Sequence, residues 1–106
     1  MISSFDNDII NCLIDMDSEI KLGKLSETFE ENEILYFKSK GINNFIFNKN
    51  VIDQIISSNI LLNCNLFIYT LFDDVDNQKD IIILNKINKT NINVITDDYK
   101  KTLSLI

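Results

Sequence analysis

Residues 66–72 read LFIYTLF, an unbroken run of apolar, aromatic and β-branched side chains. The run is too short for an ordinary helix, and its wealth of Phe, Ile, Tyr and Thr favours an extended strand. A strand with no charged residue on either face belongs in a sheet covered on both sides, as parallel sheets are by their crossover helices. The neighbouring segments on each side repeat the pattern of a short strand followed by a helix.

Upstream, residues 43–48, NNFIFN, read as a strand, and Asn48 or Asn50 caps a helix carrying Val51, Ile52, Ile55, Ile56 and Ile60 on one side. Before that strand, Thr28, Phe29, Glu30 and Glu31 spell an S/T-x-x-E capping box, whose helix holds Ile34, Leu35 and Phe37 and stops at Gly41. Residues 20–25, IKLGKL, read as an alternating strand in which Gly23 admits close approach of backbone or ligand. Residues 1–5, MISSF, read as a strand cut short at its start. Asp6 or Asn7 then caps a helix with Ile9, Ile10, Leu13 and Ile14 along one face.

Downstream, residues 73–80 form an acidic turn, and the helix after it holds Ile81, Ile82, Leu84 and Ile87. Residues 92–96, INVIT, read as a fifth strand, followed by Asp97 or Asp98 as cap of a terminal helix with Tyr99, Leu103 and Ile106. Five strands, each followed by a helix across short connections, predict an α/β domain with a parallel sheet and right-handed crossovers, one body over residues 1–106. The pattern alone leaves open a doubly wound sheet or a stretch of a barrel.

Composition removes several function classes. The net charge is -6, arginine is absent and lysine supplies every cation, so neither a phosphate-tracking nucleic-acid surface nor a guanidinium clamp is expected. No apolar run approaches the roughly 18 residues of a membrane span, and no basic signal segment opens the chain, so a cytoplasmic protein is expected. Cys12 and Cys64 stand too far apart for metal-ligand spacing and read as buried free thiols. Histidine is absent, which removes the commonest acid–base group.

Four stretches, ISSFDNDIINCL, IKLGKL, LFIYTLFDD and NVITDDY, resemble in order and separation the C-terminal portion of the glycerophosphodiester phosphodiesterase family. In that family a strand ends in Ser-Phe plus an acidic residue, matched by Ser4, Phe5 and Asp6. The next carries hydrophobic-Gly-x-Leu, matched by Leu22 to Leu25. A later strand reads Trp-Thr-Val-Asn, where this chain has Tyr69, Thr70, Leu71 and Phe72, and the last ends in Thr-Asp, matched by Thr96 and Asp97. The resemblance implies a partial (β/α)8 TIM-type barrel covering the family's fourth to eighth strands. It further implies descent from hydrolases that split a glycerophosphodiester into glycerol 3-phosphate and an alcohol in glycerophospholipid metabolism.

The family carries its His-Arg pair, its Glu-x-Asp metal ligands, a second catalytic His and a Glu-x-Lys pair on its first three strands and the segments after them, and none of these motifs has a counterpart here. These 106 residues are therefore expected to be inactive alone, with no catalytic residue and no cofactor of their own, although intact relatives use calcium or magnesium. What the resemblance assigns to them is a substrate-pocket wall at the strand ends, made of Ser4, Phe5, Tyr69, Thr70 and Asp97. Tyr69 in place of Trp retains an aromatic surface. The plainer reading is that Ser4, Thr96 and Asp97 end strands and cap helices.

Asp74 to Asp80 imitates the first half of a calcium loop but lacks the Gly at its sixth position and a Glu at its twelfth, so it reads as a solvated turn. Asp15, Asp17 and Glu19 read as an exposed helix end. An arc of barrel leaves strand edges and an apolar interior uncovered, and self-association or docking onto a separate N-terminal barrel fragment would cover them. The rival expectation is a non-enzymatic α/β binding or interaction module; a third is a relic with no role of its own.

Overall fold

The computed structural model describes residues 1–16, 21–69, 77–87 and 90–94. Strands and helices alternate through them: β1 (Ile2–Ser4), α1 (Asn7–Asp15), β2 (Leu22–Ser26), α2 (Glu31–Ser39), β3 (Asn44–Asn48), a 3-10 turn (Lys49–Val51) running into α3 (Ile52–Ser57), β4 (Asn65–Tyr69), α4 (Asn77–Ile87) and β5 (Ile92–Val94). All four pairings are parallel, and the sheet order is β1-β2-β3-β4-β5. A doubly wound sheet reverses its order at a switch point. Among the described residues this sheet does not reverse.

Strand register divides the sheet into two unlike faces. In parallel strands, aligned residues share a face, so Leu22, Phe45, Phe47, Leu66, Ile68, Ile92 and Val94 lie together. These side chains belong to one cluster with Ile10 of α1, Ile34 and Phe37 of α2, Ile52 and Ile55 of α3 and Ile87 of α4. Four helices thus cover one face. Phe45 and Phe47 stack at 6.3 Å, and Phe29 packs on Phe47 at 6.1 Å.

The other face carries Gly23, Leu25, Asn44, Ile46, Asn48, Asn65, Phe67, Tyr69 and Asn93 and receives none of the four helices. Here the close approach expected at Gly23 is made by a side chain. A Cβ on Gly23 would lie 2.8 Å from Ile46 Cδ1 and 3.0 Å from Met1 Sδ, so the glycine makes the space in which Ile46 is buried. The asparagines serve the same face. Asn44 Nδ2 donates to Leu22 O (3.0 Å), Asn65 Nδ2 to Asn44 Oδ1 (3.0 Å), and Asn93 Nδ2 to Leu66 O (3.2 Å).

Local signals succeed where a side chain has a backbone partner to reach. Asp6 caps α1, its Oδ1 accepting from Asp8 N at 2.8 Å and Ile9 N at 3.3 Å. Asn48 caps the 3-10 turn through Asn50 N at 2.9 Å. Gly41, at φ +92°, follows α2. Ile42 N donates to Phe37 O and Gly41 N to Lys38 O, the paired bonds of a Schellman motif, with Ile42 and Phe37 packed in the core.

Other expectations are corrected. The capping box at Thr28 does not form, because α2 starts at Glu31 with Glu30 as a cap that makes no side-chain bond. Leu35, Ile56 and Ile82 are exposed, since the covered face admits only part of each helix circumference. Cys12 is exposed and Cys64 half-buried rather than both buried. The strand predicted over 66–72 spans Asn65–Tyr69 in the described residues and buries fully only Ile68, because its second face is open. The acidic turn read over residues 73–80 is corrected at its end, because α4 already begins at Asn77; residues 70–76 and 95–106, with the rest of that turn, the end of the INVIT strand and the terminal helix, lie outside the described residues, as do Asp17 and Glu19.

The aromatic pair at the centre of the covered face sets the stability. Phe47→Ala removes a fully buried ring and leaves a cavity under α2 and α3, so it should lower the unfolding free energy by about 3–5 kcal/mol in urea or guanidinium titration. The same change at exposed Leu62 should cost under about 0.5 kcal/mol.

Candidate functional site

In alternating parallel β/α folds, ligands meet the C-terminal ends of the strands, where backbone turns bring side chains from successive strands to one rim. Here that rim is formed by Phe5 after β1, Leu25 and Ser26 of β2, Asn48 of β3 and Tyr69 of β4. Phe5 and Tyr69 come from strands separated by β2 and β3, a span of about 14 Å at ordinary strand spacing. Their rings nevertheless meet edge to face, 6.1 Å apart at 82°. Each leans over the two intervening strand ends, and the Tyr69 hydroxyl donates to Ser26 O at 3.4 Å.

Burial is the main reason that the Tyr69 phenol ionises above its ordinary value of 10.0; its hydrogen bond with Asn48 opposes the rise, and the Glu27 carboxylate adds to it.

Beneath the aromatic pair, a buried cation ties the rim together. Lys24 lies on the helix-covered face beside Ser4 and Phe45 and is 4% exposed. Its Nζ donates to Phe5 O at 2.8 Å and to Leu25 O at 2.7 Å, and it stands 3.6 Å from Glu33 Oε1. Glu33 Oε2 in turn accepts from Asn7 Nδ2 at 3.2 Å. One ammonium therefore holds the ends of β1 and β2 and the first turn of α2. Lys49, directly after β3, is also buried. A cleft of about 410 Å³ opens over this network, lined by Phe5, Lys24, Ser26, Glu27, Glu30 and Glu33 among others.

Of the residues assigned to a pocket wall from the sequence, Phe5 and Tyr69 are brought together. Ser4 sits on the other side of the sheet from Tyr69, and its Oγ accepts from Asp6 N at 3.0 Å within the turn after β1. Thr70 and Asp97 lie outside the described residues. Sequence reading did not single out Lys24 or Lys49. The available signal was a lysine inside an otherwise apolar strand and another directly after NFIFN, where a charge has to be paired or exposed.

The Phe5–Tyr69 pair can position a bound group at the rim. Asp6, the carboxylate nearest the end of β1, has Oδ1 committed to the α1 cap, and among the described residues no group of three or more His, Cys, Asp or Glu could hold a metal ion. The described residues thus do not fit the divalent ion that the resemblance implies for intact relatives. At the opposite, N-terminal ends of β4 and β5, a smaller cleft of about 220 Å³ includes Cys64; burial raises its thiol pKa, with Lys38 pulling the other way. No helix among the described residues is long and apolar enough to cross a membrane. No family model, curated protein or solved structure matches the chain.

Two measurements test this rim. Lys24→Met leaves the Phe5 and Leu25 carbonyls without their donor and Glu33 without its cation, and should destabilise the protein by about 1–3 kcal/mol in denaturant titration. The raised Tyr69 pKa means the fold favours the neutral phenol, so its contribution is complete below the ordinary value of 10.0 and is lost as pH rises through the higher folded value. In Tyr69→Phe, the fall of Tm above about pH 10 should be shallower than in the parent chain.

Proposed function

We propose that these residues are the arc of a (β/α)8-type barrel of the glycerophosphodiester phosphodiesterase kind, matching that family's fourth to eighth strands and performing no turnover alone. The observation that carries this reading is the singly wound parallel sheet, with helices on one face and the Phe5–Tyr69 pair over the strand ends of the other. A barrel arc has that organisation: helices outside, an inner face, and aromatic or polar groups at the C-terminal rim. In an intact relative the rim would border the hydrolysis of a glycerophosphodiester to glycerol 3-phosphate and an alcohol. Here the rim contributes an aromatic wall held by Lys24, while acid, base and metal ligands have no counterpart. A partner arc, from a separate N-terminal barrel fragment or a second copy, would cover the inner face and pair the strand edges.

A second reading, a non-enzymatic α/β interaction module, is favoured by one feature of the cleft. Glu27, Glu30 and Glu33 line it, and Lys24 is already engaged by two carbonyls and Glu33, so an anionic phosphodiester meets mostly carboxylates there.

The purified chain, assayed for glycerol 3-phosphate release from a glycerophosphodiester with added calcium or magnesium, should show none. Metal-dependent release that co-purifies with the chain and is lost in Tyr69→Ala would overturn the proposal that the arc is silent. Saturable binding of glycerophosphodiester that competes with no other anion favours the barrel-arc reading, and absence of binding favours the interaction module.

A further inference from the structure

Ser26 closes β2 on the helix-covered side, aligned with Phe47, and is 8% exposed. Its carbonyl accepts from the Tyr69 hydroxyl, but its own Oγ has no hydrogen-bond partner among the described residues. A buried hydroxyl without a partner costs free energy, and native folds keep few of them. Ser26 lines the cleft of about 410 Å³ at the start of α2, a volume within the usual range of small-molecule sites, about 300–1,000 Å³.

The other polar groups of the cleft fix the kind of molecule it suits. Lys24 is engaged by the Phe5 and Leu25 carbonyls and by Glu33. α2 opens on Glu30, whose side chain makes no capping bond, so the amides of its first turn join Ser26 Oγ as donors in need of an acceptor. The carboxylates of Glu27 and Glu30 line the same cleft with no hydrogen bond or ion pair among the described residues, and they need donors. A phosphate offers acceptors alone and meets two uncompensated carboxylates. An ammonium offers donors alone, leaves the amides unmet, and faces Lys24 and the positive end of α2. A hydroxyl donates and accepts at once, and a six-membered sugar ring carries several on adjacent carbons.

We propose that this cleft binds a neutral sugar of the pyranose type, with Ser26 Oγ as the buried anchor and the Glu27 and Glu30 carboxylates accepting from ring hydroxyls. The site depends on β2 and the start of α2 alone, so it stands under either reading of the chain.

The test titrates the full, isotope-labelled chain separately with glucose, galactose and mannose, each to about 50 mM, and follows amide shifts by NMR. At least one sugar should bind saturably with shifts at Ser26, Glu27 and Glu30, and its affinity should stay constant as salt is raised. Glycerol 3-phosphate and butylammonium, the anionic and cationic probes, should each bind at least about tenfold more weakly. Ser26→Ala should weaken sugar binding about tenfold or more, with the urea midpoint unchanged or raised, because the hydroxyl has no partner to lose. Ser57→Ala, which removes an exposed hydroxyl of α3 bonded to Asp53 O, should leave binding unchanged. Absence of saturable sugar binding, tighter binding of either charged probe, or unchanged binding in Ser26→Ala overturns the proposal. So does a Ser26→Ala chain that loses stability together with binding, which assigns the hydroxyl a structural role. Glycerol 3-phosphate release is a separate readout: its appearance strikes the silent-arc reading and leaves sugar binding standing, whereas failure of sugar binding leaves that reading untouched.

Discussion

The arrangement depends on a topological constraint: parallel neighbours laid down in sequence order, each reached through a crossover of the same hand. Successive helices are then returned to the same side of the sheet, and the apolar residues that meet them must be those that point that way. Phe45, Phe47 and Ile68 obey this, and so do Ile10, Phe37, Ile52 and Ile87 from the helices. The opposite face is left to be furnished differently, with Ile46 seated over Gly23 and with asparagines bonding to neighbouring strands. The two faces are therefore consequences of one winding rule rather than separate designs.

At the C-terminal rim the same rule gathers turns from adjacent strands, and a buried ammonium is the means of holding them. Lys24 is only 4% exposed, so its two carbonyls and the Glu33 carboxylate take over much of the solvation of its charge. This orders Phe5 against Tyr69 above it, because the Phe5 carbonyl is one of the bonded groups. The rim thus has a buried ion at its base and an aromatic pair at its top, a geometry suited to holding a group in place.

Legibility in the sequence followed the range of each interaction. Asp6 capping α1 and Gly41 ending α2 are contacts within a few residues, and residue type reveals them. The S/T-x-x-E string at Thr28 was equally local in appearance but failed, since α2 begins later and Phe29 is drawn instead onto Phe47 in the core. The candidate wall was read in part: Phe5 and Tyr69 meet, whereas Ser4 turns its hydroxyl back to the Asp6 amide. Lys24 escaped notice because its partners are backbone carbonyls and a helix residue brought near only by strand pairing.

By itself the sequence determined five short strands alternating with helices, their parallel sense, and the absence of histidine and arginine, because periodicity, cap chemistry and composition are written in neighbouring residues. Only the tertiary structure decided the order of the strands, which face the helices cover, and that β4 is half open rather than buried on both sides. It alone joined Phe5 to Tyr69 and Lys24 to Glu33 and left Ile9 and Met16 of the first helix exposed. Those features depend on how segments far apart in the chain pack together, and burial is a property of that packing rather than of any residue in its local sequence.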